Sequence, residues 1–417
     1  MRDTPADELS ARTVLVPPHG RRWAILALAM GGFAIGTGEF SMMGLLPSVA
    51  GSLHVTVPRA GMLISLYALG VVVGAPVITV LCARMPRHRL LMGMMALYAA
   101  GNLLSAMSDR VETVGLFRFL SGLPHGAYFG VACLIAASMV ERNERARAVE
   151  RVLLGLTTAT IIGAPVAAWC GSFIDWHLAY WLVGGLSALT VVLVAIFLPA
   201  IPAPAGASPL TELGALRRLQ VWLALATGAV GFGGLFAVYS YISPALIART
   251  HMSPAVVPLV LVVLGLGMAL GNTVGAYFAD RALRRTVVAM LVWDGLASLL
   301  FVPALPHGWA VTGDAFLIGI GVALAPALQT RLMDVAADAQ ALAAALNHSA
   351  FNIANALGAF LAGAAITAGY GWSSAGWVGG CLACAGLLIF LVALATERVR
   401  PAGAGAAPET ARSAGPA

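Results

Sequence analysis

Apolar residues fall in twelve long blocks between residues 23 and 396, parted by short stretches of arginine, proline and glycine. An α-helix rises about 1.5 Å per residue, so roughly 20 apolar residues cross the hydrocarbon of a bilayer. The blocks predict spanning helices at 23–50, 58–82, 88–107, 112–139, 149–172, 177–199, 220–248, 255–279, 286–304, 309–331, 341–368 and 373–396. Connections are short except 200–219, whose Pro/Ala-rich start and basic end read as a linker. The expected organisation is a cytoplasmic tail 1–22, a six-helix bundle 23–199, a cytoplasmic linker 200–219, a second six-helix bundle 220–396, and a disordered cytoplasmic tail 397–417.

Composition agrees with an all-α membrane protein. The chain is 60% hydrophobic and only 10% charged, against about 25% charged residues in a soluble domain. All 24 basic residues are arginine. With both termini placed inside, 20 of them fall in cytoplasmic segments, Arg59, Arg110 and Arg249 fall outside, and Arg118 lies within a span. That is the positive-inside pattern, and it supports an even number of crossings. No basic run carries interleaved aromatics, so nucleic-acid binding has no support. Residues 1–22 are polar, with no short apolar core before a cleavage site, and are not expected to be a signal peptide. Of the five cysteines, Cys381 and Cys384 form a C-x-x-C inside an apolar run, without the second ligand pair a metal site needs.

Glu39 lies well inside the first block, about 12 Å of helix before Pro47. A charge at that depth is costly, and intramembrane acids usually face a polar cavity and carry protons, ions or ligands. Sliding the chain against itself by 197 residues superposes Pro47 on Pro244, Gly70 on Gly267, Gly74 on Gly271, Arg84 on Arg281, Arg87 on Arg284 and Gly122 on Gly319. A constant offset through half the chain indicates a duplication. Two related six-helix halves are the arrangement of transporters whose substrate site lies near mid-membrane.

With this layout, the segments GTGEFSMMGLLP, GAPVITVLCARMPRHRLL, RFLSGLPHGAYFG and ALNHSAFNIANALG resemble the major facilitator superfamily, and within it the bacterial drug and sugar efflux branch of arabinose-efflux-like and chloramphenicol-efflux-like proteins. The resemblance covers residues 23 to about 396. It implies a proton role for the fourth-helix arginine, Arg118, which stands with Gly122, His125 and Gly126. His125 also titrates near neutral pH in its unperturbed form, and a packing role for it stays open. The resemblance further implies an antiporter-type glycine and proline motif on the fifth helix. Here it reads Gly163, Pro165 and Gly171, with Val166-Ala167-Ala168 in place of a glycine pair.

The family's loop between helices two and three normally combines a glycine, an acid and several bases. The first copy carries Arg84 and Arg87 but has Ala83 where the acid stands; the second keeps Asp280 with Arg281, Arg284 and Arg285. Such a cluster at a helix end can bridge neighbouring helices and hold one conformation shut, or can simply fix topology. In the second half Tyr239, Tyr241, Asn272, Gln329, Asn347, His348, Asn352 and Asn355 are candidates for a polar, uncharged substrate path, with interhelical hydrogen bonding the competing use. Asp294 and Asp314 have no assigned role.

The expectation is a multi-pass protein of the inner (cytoplasmic) membrane, acting as a monomer in the lipid bilayer. It moves a small-molecule substrate outward by alternating access, uses the proton gradient and needs no cofactor or metal. A chain without lysine has no phosphate-binding G-x-x-x-x-G-K-[ST] loop. A uniporter or importer of the same fold and a membrane-embedded receptor or enzyme are the alternatives.

Overall fold

The computed structural model describes residues 18–82, 84–141, 144–200, 218–336 and 340–399, and all their regular structure is helical. Residues 1–17, most of the expected 200–219 linker and the tail beyond 399 lie outside the described residues.

The first half opens with α1 (Pro18–Ser52), α2 (Val57–Leu81) and α3 (Arg87–Ala106). The next block is split into α4 (Val111–Gly122) and α5 (His125–Ser138). Pro124 stands at the break, where it has no N–H to continue the hydrogen-bond ladder. The fifth block is split similarly into α6 (Arg145–Thr158), a π-turn over Ala159–Gly163, and α7 (Ala164–Phe173), with Pro165 in the first turn of α7. A π-turn ahead of a proline absorbs the hydrogen bond that the proline cannot make. α8 (Trp176–Phe197) is capped by Asp175, whose side chain accepts from the His177 backbone N–H.

The second half comprises α9 (Leu219–Gly231), α10 (Gly233–Arg249), α11 (Val257–Ala304), α12 (Gly308–Ile320), α13 (Leu324–Ala336), α14 (Gln340–Ala365) and α15 (Ser374–Val399). Among the described residues ten helical stretches are long and apolar enough to cross a membrane. One of the ten is α11, whose 48 residues measure about 72 Å, against a hydrocarbon layer of about 30 Å. It is interrupted at Ala282, where φ is −153° and ψ is 60°. α3, which opens with Arg87, His88 and Arg89, is not among the ten.

Small residues set the close crossings. Gly70 packs on the backbone of Phe119 and on Gly122, and Gly267 packs on the backbone of Phe316 and on Gly319. Gly74 meets Leu123, and Gly271 meets Ile320. Every member of the second set stands 197 residues after its counterpart in the first, so the sequence offset is also an offset of contacts. Any side chain at these glycines would run into backbone, which cannot move aside.

The arginines define two ends. Arg21, Arg84, Arg145, Arg218, Arg281 and Arg331 mark an arginine-rich end; the 51–56 and 250–256 turns mark an arginine-poor one. At the arginine-poor end one apolar core is continuous between the halves, running from Phe40, Leu45 and Leu63 to Tyr239, Leu261 and Ala359. Toward the arginine-rich end the cores are separate: one holds Leu28, Leu91 and Phe129 of the first half, the other Val221 and Leu332 of the second. Three seams join the halves, α1 along α10, α2 along α14, and α7 with its π-turn along α11. Ser243 Oγ donates to the Gly44 carbonyl at 3.2 Å and Ser65 Oγ to the Ala356 carbonyl at 3.1 Å. Around the outside, Leu189, Val192, Leu259, Leu296 and Phe360 are exposed, as a lipid-facing belt requires.

Candidate functional site

Glu39 lies on a stretch of α1 that carries Gly36, Gly38 and Gly44. These glycines bring neighbours to the backbone: Ala159 and Leu156 against Gly36, the Tyr98 hydroxyl against Gly38, and Ala168 against Gly44. The carboxylate is thereby enclosed, with Glu39 only 6% exposed. Its Oε1 accepts a 3.3 Å hydrogen bond from Asn355 Nδ2 on α14. Its Oε2 lies 4.0 Å from His125 Nε2 at the start of α5. The acid of the first half therefore sits between a histidine of its own half and an amide of the other.

The polar contacts continue away from Glu39. His125 Nδ1 is 3.0 Å from the Tyr67 hydroxyl, which is 3.4 Å from the Tyr98 hydroxyl. Tyr98 in turn donates to the Ile35 carbonyl at 3.1 Å. Four helices, α1, α5, α2 and α3, are tied together by this chain. Arg118 is fully buried beside it. Its Nη1 donates to the Gly38 carbonyl at 2.8 Å, and its guanidinium lies 4.2 Å from the Tyr67 ring centre. Nε and Nη2 have no acceptor. Arg118 thus reaches the backbone one residue before Glu39 and forms no ion pair with the carboxylate.

The expected substrate-path residues separate into groups. Asn355 and Tyr239 belong to the Glu39 site: the Tyr239 ring stacks on Phe40 at 5.8 Å, and its buried hydroxyl has no partner. His348 stacks on Phe129 at 5.5 Å and lies 6.3 Å from His125. Asn352 is turned to its own helix and donates to the His348 carbonyl. Asn347 donates to Gln329, pairing α14 with α13. Tyr241 donates to the Ala359 carbonyl at 3.0 Å, and its hydroxyl is pressed between Gly61 and Gly363 in the arginine-poor seam. Asn272 is exposed.

The fifth-helix motif borders the site. Gly163 packs on the Thr37 side chain, two residues from Glu39, and the Gly171 carbonyl accepts from Ser48 Oγ at 2.8 Å. Its role here is to seat the π-turn and α7 against α1.

At the arginine-rich end the partners differ from those the loop motif suggests. Asp280, Arg84 and Arg285 are exposed, Arg87 is half-buried, and none of the four is in an ion pair among the described residues. Arg281 folds over the Tyr277 ring and donates to its carbonyl. Glu397 near the end of α15 takes Arg284 at 3.1 Å and Arg331 at 3.0 Å, and Arg331 also donates to Gln220. Among the described residues no ion pair at this end joins one half to the other.

Sequence reasoning missed Tyr67, Tyr98 and Glu397. The tyrosines carried a usable signal, since each is a polar hydroxyl within an apolar span; Glu397 fell in what read as tail. Asp294 and Asp314 are each 2% exposed; Asp294 Oδ2 and both Asp314 oxygens lack partners.

Comparison with known proteins places this geometry in context. The family model described as Major Facilitator Superfamily matches residues 28–250 and 236–416. The chain is 40% identical over 378 residues to the inner membrane transport protein YdhP of Escherichia coli strain K12, covering 90% of this chain and 96% of that one. It is 31% identical over 376 residues to a chloramphenicol resistance protein of Streptomyces lividans, covering 87% and 94%. A bacterial homologue of the human lysosomal transporter Spinster, solved in an inward-facing and unoccupied conformation, shares the fold with a TM-score of 0.70 and 16% identity, covering 91% of this chain and 96% of that one.

Proposed function

The chain belongs to the Major Facilitator Superfamily, and from that membership we propose that it exports a small molecule by alternating access, with substrate exit coupled to proton entry at Glu39. It is a multi-pass membrane transporter and not an enzyme. Twelve spans in two six-helix halves follow if α3 crosses and α11 crosses twice, turning at Ala282. The repeated glycine contacts support that count. The arginine asymmetry supports cytoplasmic termini, which makes the arginine-poor end external and this conformation closed to the outside.

The observation that carries the coupling is the placement of one carboxylate between His125 of the first half and Asn355 of the second. When the halves part on the outer side, Asn355 leaves Glu39 and water reaches it. When they close, the carboxylate is enclosed again. Its proton affinity changes with that access, so each cycle can take a proton from one side and release it on the other. The proton gradient is then the only energy source, and a monomer suffices. The site's polar groups are uncharged apart from Glu39 and Arg118, which suits neutral or cationic amphiphiles, drugs or sugars; the relative named for chloramphenicol resistance supports a drug-like cargo.

The test is uptake and efflux in proteoliposomes with an imposed pH gradient, across a panel of drugs and sugars. Glu39→Gln is expected to insert and fold normally while losing gradient-driven flux. Undiminished pumping by that variant would overturn the coupling. Flux indifferent to the pH gradient in the unmodified protein would favour a uniporter.

A further inference from the structure

Beside the break in α11 lies a cavity of about 640 Å³, lined by Arg281, Arg284, Arg285, Arg331, Asp334 and Glu397. Four guanidinium groups face two carboxylates, so the lining carries two net positive charges. The carboxylate of Glu397 is already shared by Arg284 and Arg331. Among the described residues Arg281 and Arg285 have no acidic partner, and Asp334 takes part in no ion pair. The cavity therefore presents two cations without an ion-pair partner among the described residues, next to two held in place by Glu397 and Gln220.

Its depth narrows the class of anion. Counting about 1.5 Å per residue along each helix, Arg281 lies about 36 Å from Val257, and Arg331 and Glu397 lie about 35 Å from Gly308 and Ser374. The hydrocarbon layer is about 30 Å thick, and the headgroups bring the bilayer to about 40–45 Å. The cavity thus stands at the level of lipid phosphates. Tyr277, whose ring lies under the Arg281 guanidinium at 3.4 Å, and Phe278 are about half exposed on the adjoining helix surface, giving an acyl chain an apolar wall. Planar guanidinium groups take phosphate oxygens in pairs, and basic pockets between spanning helices are a known form of headgroup site.

We propose that this cavity binds the phosphate of an anionic membrane lipid through Arg281 and Arg285, with Arg284 and Arg331 as the fixed wall. A bound headgroup joins the two limbs of α11 to α13 and α15 and so braces the arginine-rich end of the second half, independently of what the transporter carries.

Native mass spectrometry of the delipidated full chain tests this, with dioleoylphosphatidylglycerol, dioleoylphosphatidylcholine and inorganic phosphate as probes. The expected result is one phosphatidylglycerol held at least tenfold more tightly than phosphatidylcholine, with at least a tenfold loss of that preference in the Arg281→Gln/Arg285→Gln double variant. Arg285→Gln alone removes an exposed group and guards against misfolding; it should lose about threefold. Equal retention by wild type and variants overturns the proposal, as does absence of any preference between the two lipids. If millimolar inorganic phosphate raises the thermal midpoint in the wild type but not in the double variant, and no lipid is preferred, the site takes a free anion and the lipid assignment fails.

Discussion

Asn355 Nδ2 donates to Glu39 Oε1 at 3.3 Å across 316 residues of chain. The contact joins α14 to α1 where a carboxylate of the first half meets a side chain of the second, so local chemistry and the relative position of the halves are linked. Three other features bear on whether that link holds: the buried arginine beside it, the fit of the second half's own helices, and the capping of the helix entrances.

Removing the amide should loosen the closed state. A lost hydrogen bond that leaves a buried acceptor unpaired costs about 1–3 kcal/mol, and about 1.4 kcal/mol moves a two-state population tenfold. Asn355→Ala is expected to enrich the outward-open form by roughly that factor. Spin-label distances between Ser52 and Ser373 at the arginine-poor end would report a longer second population. An unchanged distance distribution would mean that the apolar seam alone sets the equilibrium.

Arg118 is expected to be irreplaceable by lysine. Its guanidinium bonds the Gly38 carbonyl while its carbon lies 4.2 Å from the Tyr67 ring centre, a pairing of contacts that an ammonium does not reproduce. Arg118→Lys keeps the charge but should lower proton-driven flux more than tenfold, with expression and thermal midpoint close to wild type. Flux within twofold of wild type would show that charge alone is what the site uses.

A single methyl at residue 321 should be severe. The carboxylate of Asp294 occupies the space that a Cβ on Gly321 would need. Gly321→Ala forces the buried acid to move and is expected to destabilise the protein by about 1–3 kcal/mol, the usual cost of overpacking. Asp294→Ala should recover most of the loss in the double variant, as contacting residues couple. Additive effects in detergent melts would refute the fit.

Asp175 gives a pH dependence outside the spans. Partial burial opposes its charge, but hydrogen bonds from the His177 side chain and backbone prevail and hold its carboxyl below the usual range. A depressed folded-state value means that the stabilisation is fully present above the unfolded value near 3.9 and is lost as pH falls through the folded one. Asp175→Ala should therefore lower the thermal midpoint of the detergent-solubilised protein by a few degrees at pH 7, in keeping with a helix cap of about 1 kcal/mol. The difference from wild type should shrink as pH falls below the unfolded value. A constant difference across that range would assign the effect to packing.

The all-helical membrane architecture was legible because long apolar blocks have almost no other solution in lipid. The turn within α11 was legible too: residues 279–286 contain neither proline nor glycine, but the charges of ADRALRRT end one predicted span at 279 and begin the next at 286, and Ala282 falls between them. The interruptions beside Pro124 and Pro165 were not, since 112–139 and 149–172 each read as one continuous span. At the site, Glu39 was conspicuous as the single acid of its span. Its partners were not: Asn355 is one of several asparagines on α14, and only its face decides. Asp280 looked like the natural mate for the neighbouring arginines by proximity along the chain, whereas Glu397 takes Arg284 and Arg331 because helix ends meet in space without being near in sequence.

The continuous apolar core at the arginine-poor end has a bearing on leakage. Phe40, Tyr239 and Leu261 meet there with almost no surface open to solvent, and wetting each such side chain costs about 1.5–3 kcal/mol. Parting the halves on that side is thus a rare excursion unless something occupies the gap. A resting transporter of this build would stay watertight, sparing the membrane a standing leak.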